Sequence, residues 1–297
     1  MRSRRRTAVG AIGAIVASVL VGPAASRAVA ADHPVAGCPA GRASLSVARR
    51  ARGVTALGPF AIAVGARGMT VRADGRVLWA SAPGVPFVGA ARGAAAFTGA
   101  GGFFSVQAAF SQCWRAQRIA AVRAGRGTVT VSGGLGAGAR FAVTFRRASS
   151  VRLAMTVRVR GPGATTVLLT TASPRGETVH GFGAMTRWNL KGGVIPVITR
   201  EQGVGRGEPG VTQAEDQLIP PQGGAYNTTY AVVPQYLTSS DRGFFWTDDQ
   251  YGVFDLTRAD RIAAQLWSTV MPTPVATPRW PRPPCTGRPS CWSVGRR

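Results

Sequence analysis

The sequence predicts an all-β fold, and three observations support this. Apolar and polar residues alternate with a period of two in short runs, most clearly over residues 128–131 and 154–159. Turn signals such as Ala73-Asp74-Gly75 and Gly161-Pro162-Gly163 separate these runs. Helical periodicity is scarce. Many short strands separated by turns are typical of a β-sandwich or a barrel.

The individual elements follow from the same patterns in chain order. Residues 111–124 are compatible with either a helix or a pair of strands. The aromatic residues within 243–247 and 251–256 suit the buried face of a sandwich, and we expect these two runs to form a hairpin. The predicted strands cover residues 54–64, 69–80, 127–132, 140–145, 151–159, 166–172, 194–199, 229–237, 243–247 and 251–256.

The amino terminus has the pattern of a secretory signal. Arg2, Arg4, Arg5 and Arg6 precede an uncharged apolar stretch over residues 7–25, and Ala28-Val29-Ala30 supplies a small-x-small cleavage pattern. We therefore predict a signal peptide over residues 1–31 and a secreted protein. The alternative is a membrane anchor formed by the uncleaved amino terminus. After cleavage we expect no stable membrane span.

The carboxyl terminus differs in composition from the body of the chain. Residues 269–297 are rich in proline and arginine and lack periodicity, and Pro281-Arg282-Pro283-Pro284 cannot join the interior of a sheet. We predict a β-sandwich over residues 32–268 followed by a disordered tail. We interpret the tail as the end of a frame-shifted gene, the alternative being a proline-rich ligand segment.

The charge is strongly positive and unevenly distributed. The formal net charge is +24, and 35 of the 36 basic residues are arginine. Residues 32–176 alone contribute +17. Such a field suggests polyanion binding. However, no basic motif with interleaved aromatic residues is present, so we predict no nucleic-acid partner and interpret the arginines as solvent-facing positions.

The cysteines and histidines indicate a disulfide and no metal site. Cys38 and Cys113 lie in the body of the chain, and we expect them to pair in an oxidising compartment. No Cys-x-x-Cys motif is present, and His33 and His180 stand far apart. We therefore predict no metal, no cofactor, no Ser-His-Asp triad and no phosphate-binding loop.

A glycine-rich polar loop is the candidate binding site. Glu201, Gln202 and Arg206 lie close together in the sequence on flexible backbone. Such a set can hydrogen-bond sugar hydroxyls, and arginine can grip a sulfonate or carboxylate with two donors. The alternative is a Glu–Arg pair that only stabilises the loop.

Six sequence pieces in and around this loop carry a resemblance to a known family. They are Gly181-Phe182-Gly183, Leu190-Lys191-Gly192, Glu201-Gln202-Gly203-Val204-Gly205-Arg206, Thr229-Tyr230-Ala231-Val232-Val233-Pro234-Gln235, Gly243-Phe244-Phe245-Trp246 and Phe254-Asp255. This region resembles the amino-terminal domain of glycoside hydrolase family 31, most closely its sulfoquinovosidase branch. The resemblance covers residues 181–256 and is only architectural over residues 38–171. Ala184 stands where the family usually has a polar residue.

The resemblance implies a galactose-mutarotase-like β-sandwich that precedes a (β/α)8 barrel, with one sandwich loop helping to shape the sugar site. The matching loop here carries Glu201 and Arg206. A barrel needs roughly 250 residues, whereas only 42 residues follow Asp255. We therefore expect no catalytic residue, and we interpret Asp248, Asp249 and Asp255 as turn and strand-end residues.

The predicted function is accordingly a carbohydrate-binding, substrate-shaping domain of a family 31 α-glycosidase. We expect the chain to lack the catalytic barrel and to be inactive alone, with a barrel on a separate or frame-shifted chain as a partner. The alternative is a stand-alone secreted, lectin-like module that binds acidic or sulfated glycans.

Overall fold

The computed structural model describes residues 34–39, 41–100, 102–206, 208–218, 224–268, 271–272 and 291–296. Most of these residues lie in strands, and the strands form three sheets. The predicted all-β sandwich is confirmed. The predicted signal peptide over residues 1–31 and most of the predicted tail lie outside the described residues.

Twenty strands, one α-helix and a 3-10 turn at Arg49–Ala51 make up the described structure. The helix is α1 (Pro209–Leu218). The strands are β1 (Ser44–Val47), β2 (Gly53–Leu57), β3 (Phe60–Gly65), β4 (Gly68–Ala73), β5 (Arg76–Ala80), β6 (Val88–Ala100), β7 (Phe103–Trp114), β8 (Ala116–Gly125), β9 (Thr128–Gly136), β10 (Ala139–Arg147), β11 (Arg152–Arg160), β12 (Thr166–Ala172), β13 (Val179–Gly183), β14 (Val194–Val197), β15 (Val232–Thr238), β16 (Arg242–Trp246), β17 (Gly252–Asp255), β18 (Arg261–Trp267), β19 (Met271–Pro272) and β20 (Cys291–Arg296).

Two large sheets form the layers of the sandwich. The nine-stranded sheet has the order β1-β8-β9-β10-β11-β20-β16-β15-β13, and the seven-stranded sheet has the order β14-β17-β18-β12-β6-β19 with β7 paired to β6. A four-stranded meander, β2-β3-β4-β5, forms the third sheet. Except for β1 with β8 and β19 with β6, the paired strands are antiparallel.

Aromatic side chains join the layers. Phe182 on β13 and Phe254 on β17 belong to different sheets, and their ring centroids lie 4.9 Å apart. Phe87 contacts Phe141 on β10 and also Trp79 on β5, which brings the meander into the same core. All five side chains are buried, so the three sheets share one apolar interior.

The structure resolves one expectation about individual strands and corrects three others. Residues 111–124, which were compatible with a helix or strands, complete β7 and form β8. The runs over residues 54–64 and 69–80 are each two strands rather than one, because the chain turns at Gly58-Pro59 and at Asp74-Gly75. The predicted hairpin of residues 243–247 and 251–256 is wrong. β16 belongs to the nine-stranded sheet and β17 to the seven-stranded sheet, so the intervening residues cross from one layer to the other.

The last residues of the predicted tail also differ from expectation. Residues 291–296 form β20, whose backbone pairs with β11 on one side and β16 on the other. This hexapeptide contains no proline and can therefore donate along its whole length. Its position satisfies backbone groups of β11 and β16 that would otherwise form open sheet edges.

A disulfide and a buried ion pair tie distant parts of the chain together. The disulfide joins Cys38 to Cys113 on β7 across a sequence separation of 75 residues. Loop closure of this length stabilises the folded state by roughly 4 kcal/mol in the chain-entropy account. The disulfide thereby attaches the segment before β1 to the seven-stranded sheet.

The buried ion pair lies between β16 and the segment that precedes β13. Arg242 Nη2 donates to Glu177 Oε2 at 2.6 Å, and the two side chains are 5% and 0% exposed. Ser173 Oγ donates to the same carboxylate, and Arg242 Nη2 also donates to the carbonyl of Ala172. Burial alone would raise the pKa of Glu177, but the hydrogen bonds and charge of Arg242 hold that pKa below its ordinary value.

The substitution Glu177→Gln should lower the free energy of unfolding by about 3–5 kcal/mol, because it leaves the buried Arg242 charge uncompensated. Since the pKa of Glu177 is lower in the folded state, its contribution is present above pH 4.5 and is lost as the pH falls through the folded-state pKa. Urea unfolding at several pH values checks both effects. The exposed Arg76–Asp241 pair supplies the control, because Asp241→Asn should cost less than about 1 kcal/mol. Equal costs for the two substitutions would contradict the assignment.

Candidate functional site

The candidate loop connects the two layers of the sandwich. It leaves β14 in the seven-stranded sheet and enters β15 in the nine-stranded sheet, and α1 lies within it. Pro209 begins the helix, a position that proline favours because its missing N–H is not needed there. The sequence patterns did not indicate this helix.

Hydrogen bonds close the base of the loop. The amide of Gly224 donates to the carbonyl of Val204 at 2.7 Å, and Thr228 Oγ1 lies 2.8 Å from the carbonyl of Gln202. On the helix side, Thr212 Oγ1 donates to the carbonyl of Gly224 at 3.0 Å. The outgoing and returning segments of the loop are therefore joined to each other, although six residues between them, Gly207 and residues 219–223, lie outside the described part of the chain.

Arg206 attaches the loop to the end of β13. Its Nη2 donates to the carbonyl of Ala184 at 2.7 Å and to that of Thr228 at 3.2 Å. In return, Thr186 Oγ1 donates to the carbonyl of Arg206 at 2.9 Å. The backbone of Arg206 has a φ of 38°, a left-handed conformation that is uncommon for a residue with a side chain. These contacts hold that conformation in place.

Glu201 has different partners. Its backbone amide donates to the carbonyl of Gly102 at 2.9 Å, and its carboxylate accepts the hydroxyl of Tyr230 and the amide of Gln202. Tyr230 is 53% exposed. The hydrogen bond to Glu201 raises the pKa of the Tyr230 phenol above its ordinary value.

The structure thus places Glu201, Gln202 and Arg206 in one loop but gives Glu201 and Arg206 separate tasks. No ion pair joins these two side chains, both of which lie in the described part of the loop. Arg206 binds backbone carbonyls, whereas Glu201 forms a carboxylate–phenol pair with Tyr230 at the surface. The binding of a sugar by these residues stays a prediction.

The Gly-Phe-Gly motif of β13 directly precedes the residue to which the loop is attached. Gly181, Phe182 and Gly183 all have positive φ values, and the register with β15 shifts between the two glycines. A Cβ at Gly183 would collide with the carbonyl of Ala231. The bulge turns Phe182 into the core, so the two glycines are required by this close approach of β13 to β15.

The only lysine of the sequence fixes the neighbouring turn. Lys191 Nζ donates to the carbonyls of Arg258 and Arg261, each at 3.2 Å. Burial lowers the pKa of Lys191. The Leu190-Lys191-Gly192 turn is therefore attached to the loop between β17 and β18, and its lysine serves the fold.

The other clustered carboxylates bond within their own turns. Asp248 Oδ1 accepts the amide of Asp249, and Asp255 Oδ1 accepts the amide and hydroxyl of Thr257. Within the described ranges, no group of three or more His, Cys, Asp or Glu side chains could hold a metal ion. None of the helices in this part of the chain combines the length and the apolar character needed to cross a bilayer.

Two aromatic residues near the loop were not among the predicted site residues. Tyr230 was visible in the sequence only as part of a strand, and its contact with Glu201 joins residues 29 positions apart. Trp188 is 83% exposed, and its ring lies 4.7 Å from that of His180. The exposure of this tryptophan, in the turn after β13, could not be predicted from the sequence pattern alone.

Comparison with known proteins identifies the fold. No protein-family model matches the sequence, and no curated protein matches it either. Among solved structures, a GH31 family sulfoquinovosidase from E. rectale, in complex with an aza-sugar inhibitor, matches with a TM-score of 0.59 and 14% identity. The match covers 82% of this chain and 32% of that chain. This chain therefore shares the fold of about a third of that enzyme, and the predicted resemblance to family 31 is confirmed at the level of the fold.

Two further matches are weaker. A cycloalternan-forming enzyme from Listeria monocytogenes, in complex with a pentasaccharide substrate, has a TM-score of 0.33 and 10% identity, over 80% of this chain and 23% of that chain. A GH31 dextranase from Flavobacterium johnsoniae, complexed with glucose, has a TM-score of 0.30 and 9% identity, over 59% and 18%.

The substitution Arg206→Lys should loosen the loop, because the lysine side chain is one bond shorter and does not place a donor where Nη2 of Arg206 reaches both carbonyls. A carbonyl left without its donor costs about 1–3 kcal/mol. We expect faster hydrogen exchange at the amides of Ala184 and Gly224, measured by NMR. Arg258→Lys, at an exposed arginine paired only with Asp260 in the described structure, is the control and should leave both rates unchanged. Unchanged exchange in the Arg206 variant would contradict its role.

Proposed function

We propose that this sandwich is a carbohydrate-binding domain of a family 31 type α-glycosidase, and that its Glu201–Arg206 loop contacts the sugar. The shared fold with part of a sulfoquinovosidase supports the domain type. The position of the loop between the two layers supports its role, because binding residues concentrate on loops that a rigid scaffold positions. We also propose that a whole enzyme containing this domain hydrolyses α-glycosides.

The observation that carries the proposal is the Glu201–Tyr230 pair. A carboxylate that accepts and a phenol that both donates and accepts can together bind the hydroxyl groups of a sugar. Both groups lie at the surface, and the loop that bears Glu201 is closed at its base by Arg206 and Thr228. Such preorganisation reduces the entropy lost on binding.

We assign binding rather than bond cleavage to this loop. Retaining glycoside hydrolysis uses two carboxyl groups about 5–5.5 Å apart on either side of the bond. The Glu201 carboxylate is instead engaged by the Tyr230 hydroxyl and the Gln202 amide. The proposed partner that supplies the catalytic carboxylates is a (β/α)8 barrel, whether on the same protein or on a separate chain.

We further propose that the protein acts outside the cytoplasm. The Cys38–Cys113 disulfide fits an oxidising compartment, and the basic and apolar amino-terminal sequence fits a secretory signal. Mass spectrometry of protein recovered from the culture medium should show the loss of about thirty amino-terminal residues. Retention of the full-length chain in the membrane fraction would favour the anchored alternative.

Ligand-observed NMR with methyl α-sulfoquinovoside and methyl α-glucoside tests the sugar site. We expect the full chain to bind at least one glycoside with millimolar affinity. Loss of a hydrogen bond to a charged group costs about 1.5–3 kcal/mol, so Glu201→Ala should weaken binding about tenfold or more. Tyr230→Phe removes a neutral donor worth about 1 kcal/mol and should weaken binding roughly fivefold.

Glu208→Ala is the matched control, because Glu208 is an exposed carboxylate in the same loop. Its affinity should equal that of the unsubstituted protein. Equal affinity of the Glu201 and Glu208 variants, or no binding of either glycoside, would overturn the proposal. Circular dichroism of each variant establishes that the sandwich is folded.

A further inference from the structure

The half of the nine-stranded sheet that lies away from the candidate loop presents a surface rich in arginine. We propose that the solvent-facing side of β8, β9, β10 and β11 binds an acidic polysaccharide chain. We call this surface the arginine face and define it by the exposed arginines Arg118, Arg123, Arg140, Arg146, Arg158 and Arg160. In the order of strands, β20, β16 and β15 separate this surface from β13, to which the candidate sugar loop is attached.

Strand register brings these arginines onto one surface. Along β10, Phe141, Val143 and Phe145 are buried, so Arg140 and Arg146 point away from the core. The same alternation applies to the neighbouring strands. Read across β8, β9, β10 and β11, the outward rows are Arg118–Gly134–Arg140–Arg160, Ala121–Ser132–Ala142–Arg158, Arg123–Thr130–Thr144–Thr156 and Gly125–Thr128–Arg146–Ala154.

Between the arginines, the face is flat. All the residues in these rows that are not arginine are glycine, alanine, serine or threonine, and none of them projects as far as an arginine. The hydroxyls of Thr130 and Thr144 lie 3.0 Å apart and hydrogen-bond across the strands. A polymer chain can therefore lie on this floor while the arginines reach it from several sides.

The positive charge of the face is not balanced by nearby acids. Residues 75–176 contain 13 arginines and no aspartate or glutamate. None of the six face arginines takes part in the ion pairs formed by Arg76, Arg242, Arg258 and Arg261. Arg140 and Arg160 even lie directly opposite each other, an arrangement that destabilises a sheet unless an anion compensates it.

The spacing of the charges suits a repeating anion. Adjacent strands lie about 4.8 Å apart, which places the backbone of Arg118 and that of Arg140 about 10 Å apart across β9. A polysaccharide with a carboxylate or sulfate on each unit presents such anions repeatedly along its length. Each guanidinium can bind such a group through two parallel hydrogen bonds.

A cavity extends the positive surface beyond the first row. It has a volume of about 380 Å³, and Arg42 and Arg115 line it together with Ala116 and Gly136. Ala116 precedes Arg118 by two positions on β8, and Gly136 follows Gly134 by two positions on β9, so the cavity adjoins the face. The Cys38–Cys113 disulfide holds one wall of this cavity in place.

The chemistry of the face favours a polysaccharide over a nucleic acid. Proteins that bind single-stranded nucleic acids place aromatic side chains where the bases stack. The outward positions of β8–β11 contain no aromatic residue. Duplex recognition uses a helix or a two-stranded ribbon in a groove, which a broad flat sheet does not resemble.

Binding of polygalacturonate by the full-length protein tests this proposal. The triple variant Arg140→Gln, Arg158→Gln and Arg160→Gln removes half of the face. The control triple Arg67→Gln, Arg175→Gln and Arg258→Gln removes the same charge from exposed arginines elsewhere. At about 0.15 M salt we expect the face variant to bind at least tenfold more weakly than the control. The dependence of log K on log salt should be shallower by about 2–3 in slope, as expected when three anion contacts are lost.

Three results would overturn the proposal: no binding of polygalacturonate, equal losses in the two triple variants, or equal affinity for polygalacturonate and duplex DNA at the same salt. Dextran sulfate in place of polygalacturonate distinguishes sulfate from carboxylate, and neutral dextran should not bind. If the triple variant does not fold, Arg118→Gln with Arg123→Gln on β8 tests the same face. The face triple variant should bind the glycoside at the Glu201–Arg206 loop with unchanged affinity, so a failure of this test is distinct from a failure of the proposed function.

Discussion

The contact between Phe182 and Phe254 is the constraint on which the arrangement of the candidate site depends. It joins β13 of one layer to β17 of the other, and both rings are fully enclosed. Phe182 reaches this position only because the backbone on either side adopts positive φ values that glycine tolerates. The bulge that buries Phe182 also brings Ala184 to the place where Arg206 can donate to its carbonyl. Core packing and the attachment of the loop are therefore consequences of the same three residues.

Arginine performs three distinct tasks in this protein. Arg242 neutralises a buried carboxylate, and Arg206 satisfies backbone carbonyls at the base of a loop. On β8–β11, by contrast, the arginines face solvent without carboxylates nearby in the sequence. The two halves of the nine-stranded sheet thus differ in chemistry. The half that bears the loop combines acids, phenols and arginine, whereas the charged side chains of the other half are all arginines.

The sequence allowed the all-β class to be predicted because alternation is a local property. Strands such as β9 and β11 show it within four to six residues, and each is followed by a turn that carries glycine or proline, at Gly138 and at Gly161-Pro162-Gly163. Pairing between layers is not local, which explains the wrong hairpin of β16 and β17. Both runs are apolar and close in sequence, but their backbones bond to β15 and β20 in one case and to β14 and β18 in the other.

The candidate site was predictable only in part for the same reason. Glu201, Gln202 and Arg206 stand together in the sequence, so their presence in one loop followed directly. The partners of Arg206 are carbonyls 22 positions away in either direction, and the partner of Glu201 is a tyrosine that reads as a strand residue. These partners arise from the return of the loop to β15, which no local pattern encodes.

The most direct test of the account is a map of amide chemical shifts for the labelled full-length protein on addition of methyl α-sulfoquinovoside. We expect the largest changes at the backbone amides of Gln202, Tyr230 and Ala231. The amides of β8–β11 should stay unchanged, because this glycoside is a single unit rather than a polyanionic chain. Changes confined to β8–β11, or no change anywhere at millimolar ligand, would contradict the assignment of the loop as the sugar-binding element.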